Sequence, residues 1–74
     1  MPSWILRKGT KARGFKYLTE QGRPVTDRRT LDRIVRLRVP PAWTEVHVAA
    51  SPAANVQAWG FDARGRKQYR YHAR

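Results

Sequence analysis

The stretch Val56-Gln57-Ala58-Trp59-Gly60-Phe61-Asp62-Ala63-Arg64-Gly65-Arg66-Lys67-Gln68-Tyr69-Arg70-Tyr71 decides how the chain is read. Two runs carrying aromatic and amphipathic residues, Val56–Phe61 and 66–71, flank Asp62-Ala63-Arg64-Gly65. Asp opens a type I turn well, and Gly at its end suits the left-handed position of a G1 bulge, so the segment predicts a β-hairpin. Side chains alternate across a strand. Lys67, Tyr69 and Tyr71 therefore share one face, and Arg66, Gln68, Arg70 and His72 the other. Both faces are polar or amphipathic, which a strand with one face simply in the core would not show.

Working back towards the N-terminus, Glu45, His47 and Ala49 alternate with Val46 and Val48 at the period of a half-buried strand, and residues 51–55 form a small polar loop. Thr26 or Asp27 can cap a helix whose apolar positions Leu31, Ile34 and Val35 follow the i, i+3, i+4 rule, with Asp32, Arg33 and Arg36 outward. Val39 precedes Pro40 and is pushed from the α region, so this helix ends near Leu37 or Arg38; Pro41 can start a second, single helical turn through Ala42 and the core anchor Trp43. Phe15, Tyr17 and Leu18 predict a strand, Glu20-Gln21-Gly22 a turn and Arg23-Pro24-Val25 a return strand, giving a first hairpin. Residues 1–13, with Arg7, Lys8, Lys11 and Arg13 and no acid, read as a basic flexible arm or an edge strand. Fold class follows: α+β, a small antiparallel sheet of about five strands with one or two short helices, the domain proper occupying residues 14–74.

Length and composition limit the function. Seventy-four residues make one small domain with a modest core, too little for a complete multi-step enzyme. The 41% hydrophobic content is that of a folding chain, and the lack of cysteine excludes disulfide or thiolate-zinc reinforcement while suiting a reducing, intracellular setting. No apolar run approaches the roughly 20 residues that span a bilayer, so no membrane partner is expected.

Sixteen Lys and Arg against five acids give a net charge of +11, which calls for a polyanionic partner, and nucleic acid foremost. Twelve of these cations are Arg, whose guanidinium binds phosphate bidentately. Catalytic constellations are missing: no nucleotide-binding glycine loop, no HExxH, no paired carboxylates, and His47 and His72 lie far apart without an acidic partner. No catalytic residue, metal or cofactor is expected in this chain. In the 64–72 segment, by contrast, cations, an amide and two phenols alternate. Arg and Lys can neutralise phosphates, Gln can pair with the N6/N7 edge of adenine, and Tyr can reach phosphate or base.

Asp62-Ala63-Arg64-Gly65-Arg66-Lys67-Gln68-Tyr69-Arg70-Tyr71-His72 resembles the end of the N-terminal domain of bacterial and poxviral type IB DNA topoisomerases. The residues Arg13-Gly14-Phe15-Lys16-Tyr17, Gly22-Arg23-Pro24-Val25, Leu31 with Ile34, Pro40-Pro41-Ala42-Trp43-Thr44-Glu45-Val46, and Gln57-Ala58 match in the same order. The resemblance implies an antiparallel-sheet domain that forms half of a clamp around duplex DNA and lies in the major groove. It designates Gln68, Tyr69 and Tyr71 as DNA contacts, with Arg64, Arg66, Lys67 and Arg70 beside them as phosphate partners. It further implies a parent enzyme, monomeric and cytoplasmic at the nucleoid, that relaxes supercoils through a tyrosyl 3′-phosphate. That chemistry would reside in a C-terminal catalytic domain outside this chain, and the fragment alone would be inactive. Trp59 and Phe61 depart from the pattern, being bulkier than the small or polar residues expected before the turn. The competing expectation is a free-standing basic protein that binds DNA or RNA without enzymatic activity.

Overall fold

A computed structural model describes residues 3–72. Five strands, β1 (Trp4–Thr10), β2 (Gly14–Thr19), β3 (Thr44–Ala49), β4 (Val56–Phe61) and β5 (Lys67–Tyr71), and one helix, α1 (Arg28–Leu37), follow in the order β1-β2-α1-β3-β4-β5. The strands form one sheet in the order β2-β1-β3-β4-β5, every pair antiparallel. Only one helix is present among the described residues. The second helical turn expected from Pro41 is reduced to a single Trp43 N–H to Pro40 carbonyl bond of 3.1 Å and does not propagate.

The hairpin of β4 and β5 has the expected form. Gly65 has φ +77° and its N–H donates to the Asp62 carbonyl at 2.9 Å, while the Asp62 N–H donates to the Arg66 carbonyl. The first hairpin differs from expectation. Phe15, Tyr17 and Leu18 do form β2, but its partner is β1, paired from Ile5↔Thr19 to Thr10↔Gly14, and the expected return strand contributes only an isolated Leu18↔Pro24 bridge. Proline's missing N–H and the short 20–22 turn cannot sustain a ladder, whereas residues 4–10 offer a full row of donors.

Residues 4–10 of the segment expected as a flexible arm or an edge strand thus form an inner strand, with Ile5 and Leu6 paired to β2 on one side and β3 on the other, and Trp4 to β3. Met1, Pro2, Ala73 and Arg74, the ends of the two expected segments, lie outside the described residues.

Asp27 is the N-cap of α1: its Oδ2 accepts from the Thr30 N–H at 3.0 Å and from the Thr30 hydroxyl at 2.6 Å. At the other end Arg38 adopts the left-handed conformation, φ 52°. The helix covers one face of the sheet, where Ile34 joins Ile5, Trp43, Val46, Val48 and Ala58 in the core and Leu31 and Leu37 pack alongside. Val35, expected on the apolar stripe, is 74% exposed: a ten-residue helix lying across a sheet buries a narrow stripe, and Ile34 and Leu31 fill it.

Arg33, expected in solvent, turns inward. Its Nη1 donates to Gln57 Oε1 at 2.6 Å and its Nη2 to the Ala49 carbonyl at 2.7 Å. Gln57, only 2% exposed, in turn donates from Nε2 to the Ala54 carbonyl at 2.7 Å and the Ser51 carbonyl at 3.1 Å, closing the 51–54 loop over the end of β3. Each buried polar group is thereby satisfied. Arg7 plays a similar part in β1, donating to the carbonyls of Trp43 at 2.8 Å and Pro40 at 3.2 Å with its guanidinium 4.1 Å over the Phe15 ring. Burial lowers the pKa of both arginines from its ordinary value. Arg7 and Arg33 are therefore structural ties, their guanidinium groups engaged by the domain's own carbonyls.

Candidate nucleic-acid interface

Pairing registers assign the sheet's two faces. Ile5, Val48 and Ala58 are cross-strand neighbours pointing into the core, so Trp4, Leu6, His47, Trp59 and Phe61 project from the opposite face, which no helix covers. On β5, Tyr69 pairs with Trp59, Lys67 with Phe61 and Tyr71 with Val56, placing Lys67, Tyr69 and Tyr71 on this open face. All three are exposed, Tyr69 at 41% and Tyr71 at 65%. Gln68 and Arg70 alternate to the helix side and are half-buried. Within β5, Lys67, Tyr69 and Tyr71 on one face and Gln68 and Arg70 on the other is the division expected from the sequence, while Arg66 and His72 lie beyond the ends of the strand.

The open face is built around stacked rings. His47 lies parallel to Trp59 with centroids 4.0 Å apart, Trp4 meets both edge-on at 6.3 Å, and Phe61 meets Trp59 edge-on at 6.0 Å. His47 Nδ1 lies 2.8 Å from the Glu45 carbonyl, which can only accept, so this nitrogen carries the proton. Glu45 itself has φ 52° at a register shift in β3, a bulge that re-aims the strand next to the stack. The Lys67 ammonium sits 4.3 Å over the Trp59 ring and 5.4 Å from that of Tyr69, and Tyr69 and Tyr71 lie 6.0 Å apart at 29°. A row of aromatic rings thus runs from β1 to the sheet's edge at β5, with a lysine set into it.

The remaining site residues are held by the chain itself. Asp62 Oδ1 accepts the Arg64 and Arg66 N–H groups, both at 2.9 Å, and Oδ2 accepts Arg66 Nε at 2.9 Å and Gln68 Nε2 at 3.0 Å. The Arg66 backbone bond foremost, with the Arg66 guanidinium, the Arg64 N–H and the Gln68 amide, holds the Asp62 carboxyl below its ordinary value against the opposing effect of desolvation. Arg70 donates from Nε to the Leu37 carbonyl at 3.3 Å and from Nη2 to the Arg38 carbonyl at 3.4 Å. A cation there meets the negative end of the α1 dipole. The structure therefore brings Lys67, Tyr69 and Tyr71 together on one face, sets Arg64 and Arg66 on the exposed turn, and turns Gln68 and Arg70 to the other side.

Sequence reading left out Trp4 and His47, and treated Trp59 and Phe61 only as departures from a pattern. The signal was present in the strand period: Trp59 and Phe61 share parity within β4, and His47 is opposite in parity to Val46 and Val48. What the sequence does not give is the strand order that aligns them.

Structurally, then, this is a small α+β domain presenting an aromatic, cationic sheet face, with no helix among its described residues long and apolar enough to cross a membrane. Residues 14–62 match the family model described as the N-terminal domain of bacterial DNA topoisomerase IB, and the chain belongs to that family. It is also 43% identical over 68 residues to a DNA topoisomerase 1B of Acanthamoeba polyphaga mimivirus, an alignment covering 92% of this chain. The chain spans about a fifth of that relative's length, 20%.

Proposed function

We propose that this domain is the DNA-binding clamp portion of a type IB topoisomerase and holds duplex DNA against the open face of its sheet. The observation that carries this reading is the placement of Lys67, Tyr69 and Tyr71 together on the exposed face of an edge strand, beside a turn bearing Arg64 and Arg66. In the major groove, the phenols can reach base edges or phosphates, and the cations can neutralise the flanking phosphates. Gln68, next along the strand, reads a base only by leaving Asp62, and Arg70 only by leaving the end of α1. Both are held in reserve behind the direct contacts.

In this reading the parent enzyme relaxes supercoils by cleaving one strand through a tyrosyl 3′-phosphate, with the nucleophile in a C-terminal catalytic domain. The present chain supplies grip and placement. The domain acts as a monomer at the nucleoid, in the cytoplasm.

Amide chemical-shift mapping with a short duplex tests the placement. Perturbations concentrated on β5, the 62–66 turn and Trp59 support it; perturbations confined to the outer face of α1 overturn it.

A further inference from the structure

We propose that Trp59 is a positioning residue for DNA binding: its indole, fixed on one side by His47, holds the Lys67 ammonium on the other side as a preset phosphate contact. This deepens, and rests on, the duplex-binding reading above.

The geometry is a sandwich. The His47 ring stacks on Trp59 at 4.0 Å and 5°, while Lys67 Nζ stands 4.3 Å over the same indole and 5.4 Å from the Tyr69 ring. Trp4 and Phe61 brace the indole edge-on, so it has little freedom to turn. A lysine ordinarily gives up much rotamer freedom when it engages a phosphate, and confining it beforehand lowers that cost on binding.

The contrast with Arg66 sharpens the point. Arg66 is held by a carboxylate, Asp62, at 2.9 Å, so its charge is already partly answered. An aromatic face orients a cation through its quadrupole without neutralising it. Lys67 is thus held in place with its whole charge available, beside the phenol that would share the same phosphate or base. Bulk at position 59, which departs from the small or polar residue expected before this turn, gains a physical reason.

Duplex binding by the full 74-residue chain should be measured for Lys67→Gln, Trp59→Leu, the double variant and Trp59→Phe across a salt series. Lys67→Gln and Trp59→Leu are each expected to weaken binding about three- to tenfold and to flatten the log-log salt slope by up to about 0.9, the loss of one phosphate contact. The double variant should be no weaker than either single one, and Trp59→Phe should retain most of the affinity. Independently of DNA, the Lys67 ε-methylene protons should be shifted upfield by the indole ring current, and Trp59→Phe should reduce that shift.

Additive losses, or an unchanged salt slope in Trp59→Leu, would overturn the positioning role, as would Lys67 ε-protons at their random-coil position. Should Trp59→Leu fail to fold, Trp59→Phe and the ring-current shift still decide. A wild-type chain that shows the ring-current shift but no duplex binding would refute the duplex reading, and with it a DNA role for the sandwich, while leaving the geometry standing.

Discussion

The Gln68 side-chain amide donates to Asp62 Oδ2 at 3.0 Å, so the residue best suited to pair with adenine is tied to the turn that precedes it. Asp62 is the organiser of that turn, accepting two backbone N–H groups and two side-chain donors. Its removal has two consequences of opposite sign for binding. It loosens the hairpin that presents Tyr69 and Tyr71, and it frees Arg66 and Gln68 while deleting a negative charge.

Asp62→Ala is therefore expected to lower the melting temperature while weakening duplex affinity less than the loss of Tyr69 and Tyr71 does. Thermal denaturation and a duplex titration on the same samples check both parts. An unchanged melting temperature would mean that the turn is organised without Asp62.

The acid limb of stability follows from the depressed carboxyls of Asp62 and Asp27, the latter lowered foremost by the Thr30 side-chain bond and then by the Thr30 N–H. A folded-state pKa below the unfolded one gives stability that is fully present above the unfolded value, about 4, and is lost as pH falls through the folded value. Melting temperature should be level from about pH 7 to 5 and decline below about pH 4. In Asp62→Asn the decline should be shallower, and an equal decline in both proteins would remove Asp62 from the acid response.

Gly60 lies where the hairpin meets the core. A Cβ there would stand 3.0 Å from the Thr44 carbonyl oxygen, 3.1 Å from Val46 Cγ2 and 3.3 Å from Trp43 Cε3. The first of these atoms is backbone and cannot swing aside. Gly60→Ala should cost about 1–3 kcal/mol, the usual range for overpacking, read as a lower denaturant midpoint at unchanged slope.

Arg33→Met tests the inward arginine. It keeps most of the aliphatic bulk but strips a donor from Gln57 Oε1 and from the Ala49 carbonyl, and should cost about 1–3 kcal/mol. An equal-sized change at exposed Arg36 should be nearly neutral, and parity between the two would show that Arg33 carries no structural bond in solution.

Local periodicity made the β4–β5 hairpin, β3 and α1 legible, because each depends on neighbours a few residues away. The Asp62-Gly65 turn and the Asp27 cap are chemistry of this local kind. The partner of β2 was not legible. Nothing in Lys11-Ala12-Arg13 signals a tight hairpin turn, and Gly9 and Gly14 on either side read as breakers, so the basic N-terminus reads as a flexible arm or an edge strand, whereas residues 4–10 form an inner strand. Arg7 and Arg33 were misread for a related reason. A charged residue is assigned to solvent by default, and only the fold shows which carbonyls it must satisfy.

For the candidate site, parity gave the grouping of Lys67, Tyr69 and Tyr71, and the family resemblance gave their designation. The aromatic row of Trp4, His47 and Trp59 crosses three strands and depends on the order β1-β3-β4, which no spacing in the chain encodes.

Tyr69→Ala with Tyr71→Ala should weaken duplex binding more than Lys8→Ala with Lys11→Ala, although the second pair removes two charges and the first none. The comparison separates a shaped contact from bulk attraction. Equal losses, or a greater loss from the lysines, would reduce the open face to a diffuse basic surface.

The central claim, a domain that grips duplex DNA through several phosphates, is tested most directly by the salt dependence of duplex affinity for the unmodified chain. Neutralising five to seven phosphates predicts that log K falls with log salt at a slope of about −4 to −6. A slope near zero, or no association at low salt, would contradict it.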